Sequence, residues 1–170
     1  MMHASRLRAL AAAIFVLASA AAGSNANAAT STGTLSVTSA VISVCAVGNG
    51  TVAFGQYDPT TTAAATTTGT FVLTCTPGTT YDIGMGPGAG TGANVATRQM
   101  TGGTKTLGYQ LFRDVSHTQN WGQTVGFDTL HGTSSATTIS TPINVYGVIP
   151  ANQPVSIGAY ADVVTVTLTY

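Results

Sequence analysis

The chain has 170 residues with five Lys and Arg against five Asp, no Glu, and a formal net charge of zero. Cations this sparse exclude a phosphate-neutralising surface, and with it nucleic-acid binding. A surface this poor in charge also resists self-association weakly, which suits a polymerising subunit better than a solitary enzyme.

The first 28 residues read as a cleavable secretion signal. His3, Arg6 and Arg8 precede an apolar stretch over 10–22, and Ala26-Asn27-Ala28 supplies the small-x-small cleavage site. The stretch is shorter than the roughly 20 residues of a spanning helix. No second apolar run follows, so the sequence predicts an exported chain with no membrane insertion after cleavage. The remainder carries Arg98, Lys105 and Arg113 against Asp58, Asp82, Asp114, Asp128 and Asp162, a net charge of −2.

Residues 29–44 form a separate N-terminal segment. Leu35, Val37 and Val41 share one parity, interrupted by Ser39, and predict a strand over 35–44. Cys45 and Cys75 are the only cysteines. Export makes a disulfide the default expectation over two free thiols in catalysis or metal binding.

From Cys45 onward nothing reads as helix. Thr, Val, Ser and Gly dominate, and β-branched side chains pack best on pleated surfaces. Strands are predicted over 51–54, 69–76, 81–85, 106–113, 141–149 and 161–170. Asn49-Gly50, Pro77-Gly78, Gly102-Gly103 and residues 150–154 mark turns, while 60–68 and 84–94 read as loops. This spacing predicts an antiparallel β-sandwich occupying residues 45–170. In the C-terminal strand Val164, Val166, Leu168 and Tyr170 share one face and Thr165, Thr167 and Thr169 the other. The sequence gives that apolar face no cover, so the cover is expected from elsewhere in this chain or from another chain.

An ordered set of motifs then resembles a known family. F-G-x-Y-x-P spans 54–59, F-V-L-T-C spans 71–75, Y-Q-L-F-R-D spans 109–114, and Trp121-Gly122 follows. Y-G-V-I-P-A-N-Q at 146–153 and G-A-Y-A-D-V-V-T-V-T at 158–167 complete the set. Their order and spacing resemble the spore coat protein U domain, shared with subunits of archaic, Csu-type chaperone–usher pili. That resemblance implies an all-β fold, an incomplete immunoglobulin-like β-sandwich with an N-terminal donor strand. The groove left by the missing strand would be filled first by a periplasmic chaperone, then by the N-terminal strand of a neighbouring pilus subunit after passage through an outer-membrane usher. Leu35, Val37 and Val41 become donor plugs. Val164, Val166, Leu168 and Tyr170 belong to the acceptor groove, the carboxylate at Tyr170 being gripped by the chaperone. The implied destination is the periplasm, then a surface fimbrium.

Enzymatic constellations are not expected. His117 and His131 each follow an Asp by three residues, Asp114 and Asp128, but both pairs fall in polar loop sequence. No G-x-S-x-G or H-E-x-x-H occurs. The Gly-rich run from Gly86 lacks nucleotide-loop spacing, so no cofactor or metal is expected. Arg113-Asp114 reads as an ion pair or turn, and Trp121 as core in preference to a sugar platform. Two rivals to a pilus subunit stay open: a spore or cell-surface coat protein, and a carbohydrate-binding adhesin using Trp121 and the 84–94 loop.

Overall fold

The computed structural model describes residues 28–137 and 139–170. Residues 1–27, which hold the predicted signal, lie outside the described residues. The chain divides into a unit Met1–Ser39 and a unit Ala40–Tyr170. In the first unit, residues 28–39 carry no regular secondary structure and are exposed.

The second unit is built of strands alone among the described residues. In chain order they are β1 Cys45–Val47, β2 Ala65–Cys75, β3 Thr80–Met85, β4 Arg98–Gly102, β5 Lys105–Phe112, β6 Leu130–Thr133, β7 Ser140–Ile149 and β8 Val166–Thr169. They form two antiparallel sheets, ordered β1-β2-β7-β5-β4 and β6-β3-β8. Alternation explains the long members. In β2, Phe71, Leu73 and Cys75 face inward while Thr70, Val72 and Thr74 face solvent. In β7, Ile143, Val145, Gly147 and Ile149 face inward. Gly147 is required there, because a Cβ would meet the Phe54 ring at 2.6 Å.

The inner faces of the two sheets close on Phe71, Leu73, Ile83, Leu111 and Val145, with Trp121 fully buried among them. The Trp121 indole N–H donates to the Ile83 carbonyl at 2.8 Å. Cys45 and Cys75 are disulfide-bonded, joining β1 to the end of β2.

Several expectations are corrected. No strand forms over 35–44; only from Cys45 does the chain pair, and Val44 meets Thr76 through backbone and hydroxyl bonds. Residues 51–54 run beside β2 with one bridge, Thr51 to Thr70, instead of a full ladder. The Thr/Ala run read as a loop over 60–68 becomes strand from Ala65, because β7 is long enough to pair with it as far as Ile149. The C-terminal strand is regular only over Val166–Thr169, with a separate bridge from Ala161 to Thr101. β1, β4 and β6 were not expected.

Candidate functional site: an open groove along the last strand

β8 lies at the edge of the three-stranded sheet. Residues of odd number in the C-terminal segment direct their backbone groups toward paired neighbours. Ala161 exchanges hydrogen bonds with Thr101 at 2.9 and 3.1 Å, and the Thr165 carbonyl accepts from Gly86 N–H at 2.9 Å. The register continues as Thr167 opposite Gly84 and Thr169 opposite Asp82. Since backbone direction alternates along a strand, Val164, Val166 and Leu168 turn their N–H and C=O groups the other way, to the free edge. Their side chains meanwhile point inward and pack half-buried on the core.

Beside that edge opens a cleft of about 640 Å³. One wall is 160–166; the opposite wall is 47–54, and core side chains Phe71, Met85, Leu111 and Val145 form the floor. A second cleft of about 760 Å³, under 155–160, shares Val52, Phe54, Met100 and Tyr160 with the first. The two run together as one long groove between two chain edges. Unpaired backbone over an apolar floor is a template for an added strand.

Of the residues expected to form an acceptor, Val164 and Val166 line this groove, and Leu168 packs on the core beside it. Tyr170 is exposed beyond β8. The expected donor residues Leu35, Val37 and Val41 are 88 %, 84 % and 86 % exposed.

Sequence reading missed a polar group in the groove. Asp162 lies on its wall in the same parity as Val164 and Val166. Its carboxylate accepts the Tyr109 hydroxyl at 2.6 Å and the backbone N–H groups of Ala89 and Val163 at 2.8 Å each. Burial, reinforced by the bond to Asp162, pushes the Tyr109 hydroxyl well above its ordinary value.

Arg98 was missed as well. Opposite Tyr109 in the β4–β5 ladder, it is fully buried. It donates to the carbonyls of Gly86 (2.8 Å), Val95 (2.7 Å), Met85 (2.9 Å) and Trp121 (2.5 Å). Burial lowers its affinity for a proton. Arg98 thus fastens the turn after β3, whose Met85 floors the groove, to the Trp121 backbone.

The other candidates resolve into structure. Asp114 accepts from Thr118 and Gln119 and closes a turn, as Arg113 donates to the Thr129 carbonyl. His117 stands edge-on between Phe112 and Tyr146. His131 meets Asp82 at 3.1 Å across β3 and β6. No group of three or more His, Cys, Asp or Glu capable of holding a metal occurs among the described residues. Trp121 has no exposed face, which removes the sugar platform of the adhesin reading. No helix among the described residues is long and apolar enough to cross a membrane.

Comparison with known proteins agrees with this architecture. The family model described as Spore Coat Protein U domain matches residues 31–167. The chain is 35 % identical to Protein U of Myxococcus xanthus over 174 residues, covering 94 % of this chain and 96 % of the relative. Among solved structures it is similar to a chain of the CsuC–CsuE chaperone–tip adhesion subunit pre-assembly complex from archaic chaperone–usher Csu pili of Acinetobacter baumannii (TM-score 0.53, 21 % identity). That match covers 76 % of this chain and 40 % of the other. The P pilus rod subunit PapA gives a TM-score of 0.50 at 17 % identity, covering 74 % and 98 %. A chaperone–usher pilus subunit chain gives 0.50 at 13 %, covering 85 % and 98 %.

Proposed function

Because this chain belongs to the spore coat protein U domain family, we propose that it is a non-catalytic structural subunit of a surface fibre built by the chaperone–usher pathway. It is exported by its N-terminal signal, held by a periplasmic chaperone, and passed through an outer-membrane usher to the surface. Residues 29–44 of one copy act as donor strand for the groove of the next, with Leu35, Val37 and Val41 as plugs. The row of Val164, Val166 and Leu168 lines the groove that receives them.

One observation carries this reading: a free strand edge over an apolar groove and a row of exposed aliphatic side chains coexist in the same chain. Burying three aliphatic side chains is worth about 1.5–3 kcal/mol each, and the donor also supplies a backbone ladder to an edge that otherwise has none. A donor supplied by a neighbour makes a heterologous contact that does not close, and such contacts propagate as filaments.

Deleting residues 29–39 tests the reading. The truncated subunit should still co-purify with its chaperone and be absent from fibres seen by electron microscopy. Normal fibres from the truncation refute it.

The 35 % identity to Protein U over nearly the whole chain supports a second reading, a coat protein that coats a cell or spore surface without an usher. Surface display that survives loss of the usher selects that reading.

A further inference from the structure

The inner row of the groove wall reads Tyr160, Asp162, Val164, Val166, a single charged residue among apolar ones. The exposed N-terminal row reads Leu35, Val37, Ser39, Val41, a single hydroxyl among aliphatics. We propose that these two interruptions match: Ser39 of a second copy seats on the Asp162–Tyr109 pair, fixing an antiparallel register that the chain cannot form with its own groove. The proposal rests on the donor-strand reading and adds its register and selectivity.

Antiparallel pairing with Ser39 opposite Asp162 places Val37 opposite Val164, Leu35 opposite Val166 and Val41 opposite Tyr160. Over 35–41 each aliphatic side chain then meets an apolar one and the hydroxyl meets a carboxylate, while Leu168, beyond the plugs, stands opposite Gly33 and keeps its packing on the core. A two-residue slip one way sets Ser39 against Val164 and Val41 against Asp162. The opposite slip sets Val37 against Asp162. Either slip leaves a carboxylate facing a valine, and buried acceptors that lose access to a donor are costly. Asp162 has room for the bond. One oxygen accepts two backbone N–H groups, whereas the oxygen facing Tyr109 accepts one hydroxyl, and each carboxylate oxygen has two acceptor sites.

The same register excludes self-insertion. Val41 would stand opposite Tyr160, while Cys45 belongs to β1, which packs beside β8. The six steps from Tyr160 to Val166 span about 20 Å of strand. The four steps from Val41 to Cys45 reach at most about 14 Å. A parallel strand from the chain's own N-terminus is within reach, but it sets Ser43 against Val166 and Leu35 against Gly158, which has no side chain to meet it. The polar interruption therefore favours a neighbour's strand over the chain's own.

The test uses the full mature chain, secreted and assembled in cells, carrying Thr38→Cys with Val163→Cys, which in this register face each other on the outer side as a closely spaced, non-hydrogen-bonded pair. Disulfide formation requires Cβ atoms about 3.5–4.5 Å apart and so reports register. After mild oxidation, a ladder of covalent multimers is expected on a non-reducing denaturing gel. The slipped pairs Thr38→Cys with Thr165→Cys, and Ser36→Cys with Val163→Cys, should give monomer. Fibres with a ladder only from a slipped pair, or with no ladder from any pair, overturn the register and leave the donor-strand reading standing. A cross-linked monomer without fibres overturns both. Independently, a synthetic peptide of residues 31–44 with Ser39→Val should bind the donor-deleted subunit about tenfold more weakly than the native peptide. Equal or tighter binding sinks the role given to Ser39.

Discussion

Arg98→Met is the perturbation that best separates a structural device from a merely tolerated charge. Methionine retains much of the length and volume of arginine but donates nothing, so the change isolates the hydrogen bonds from the packing. Three buried carbonyls, those of Met85, Gly86 and Trp121, lose their guanidinium donor. Each buried acceptor left unpaired costs about 1–3 kcal/mol. Against that total of several kcal/mol stands the relief of no longer burying a cation, itself worth several kcal/mol. The carbonyls outweigh it because they are fixed by β3 and the Trp121 segment and cannot turn to water without breaking those elements. A net loss of about 3 kcal/mol is expected, a large share of a typical stability of about 5–15 kcal/mol. In urea, with a slope of about 1.5 kcal/mol per molar, the midpoint should fall by about 2 M. The assay is denaturation of the disulfide-intact, donor-deleted subunit, followed by Trp121 fluorescence at fixed peptide concentration. Peptide affinity should fall as well, because Met85 floors the groove. A loss below about 1 kcal/mol with unchanged peptide affinity refutes the argument, since it means water or a backbone shift satisfies those carbonyls at little cost.

Replacing both Cys45 and Cys75 by Ala should lower stability by about 3–4 kcal/mol, because the bridge closes a loop of 30 residues in the unfolded chain; calorimetry checks it. Alkaline pH provides another test through Tyr109. Its hydroxyl titrates above the ordinary 10.0 in the fold, so its contribution is complete below pH 10 and is lost as pH climbs towards the folded value. Tyr109→Phe should flatten the decline in melting temperature above pH 10. At the acid end Asp82 is held below 3.8, chiefly by its bond to His131 and next by Thr129. Its contribution is present above pH 3.8 and fades as pH falls below it, a fade that His131→Ala should shrink.

What could be read in the sequence divides along physical lines. β2, β3, β5 and β7 were legible because each carries large apolar residues at alternate positions, such as Phe71 and Leu73, Tyr81 and Ile83, Leu107, Tyr109 and Leu111, and Ile143 and Val145. β4 was hidden because its most buried position is Arg98, a residue that ordinarily marks solvent, and its burial depends on four carbonyls supplied from elsewhere in the sequence. β1 and β6 are too short to show a period. The alternation over 35–41 was legible as a pattern, yet no strand forms there, because alternation records a face suited to burial and says nothing about which surface buries it. Trp121 was legible as core from its size. Asp162 falls inside the strand predicted over 161–170, but a carboxylate ordinarily marks a solvent-facing position, whereas its parity with Val164 and Val166 places it on the groove wall.

Free strand edges are usually blunted by lysine, proline or a bulge, since an unprotected edge recruits any strand that approaches. The edge formed by 160–168 carries none of these residues. Protection by charge would also repel the intended strand, so an edge meant to be filled needs a device that admits one sequence and rejects others. A single carboxylate in an apolar row meets that need. It accepts a donor bearing a hydroxyl at one position, and it penalises an all-apolar strand or a slipped register by cutting off the remaining acceptor site of its Tyr109-facing oxygen from any donor. Its cost in the empty subunit is small, because Tyr109 and two backbone N–H groups already hold the carboxylate in place. Selectivity in this fold therefore resides in the one residue of the row that does not contribute hydrophobic burial.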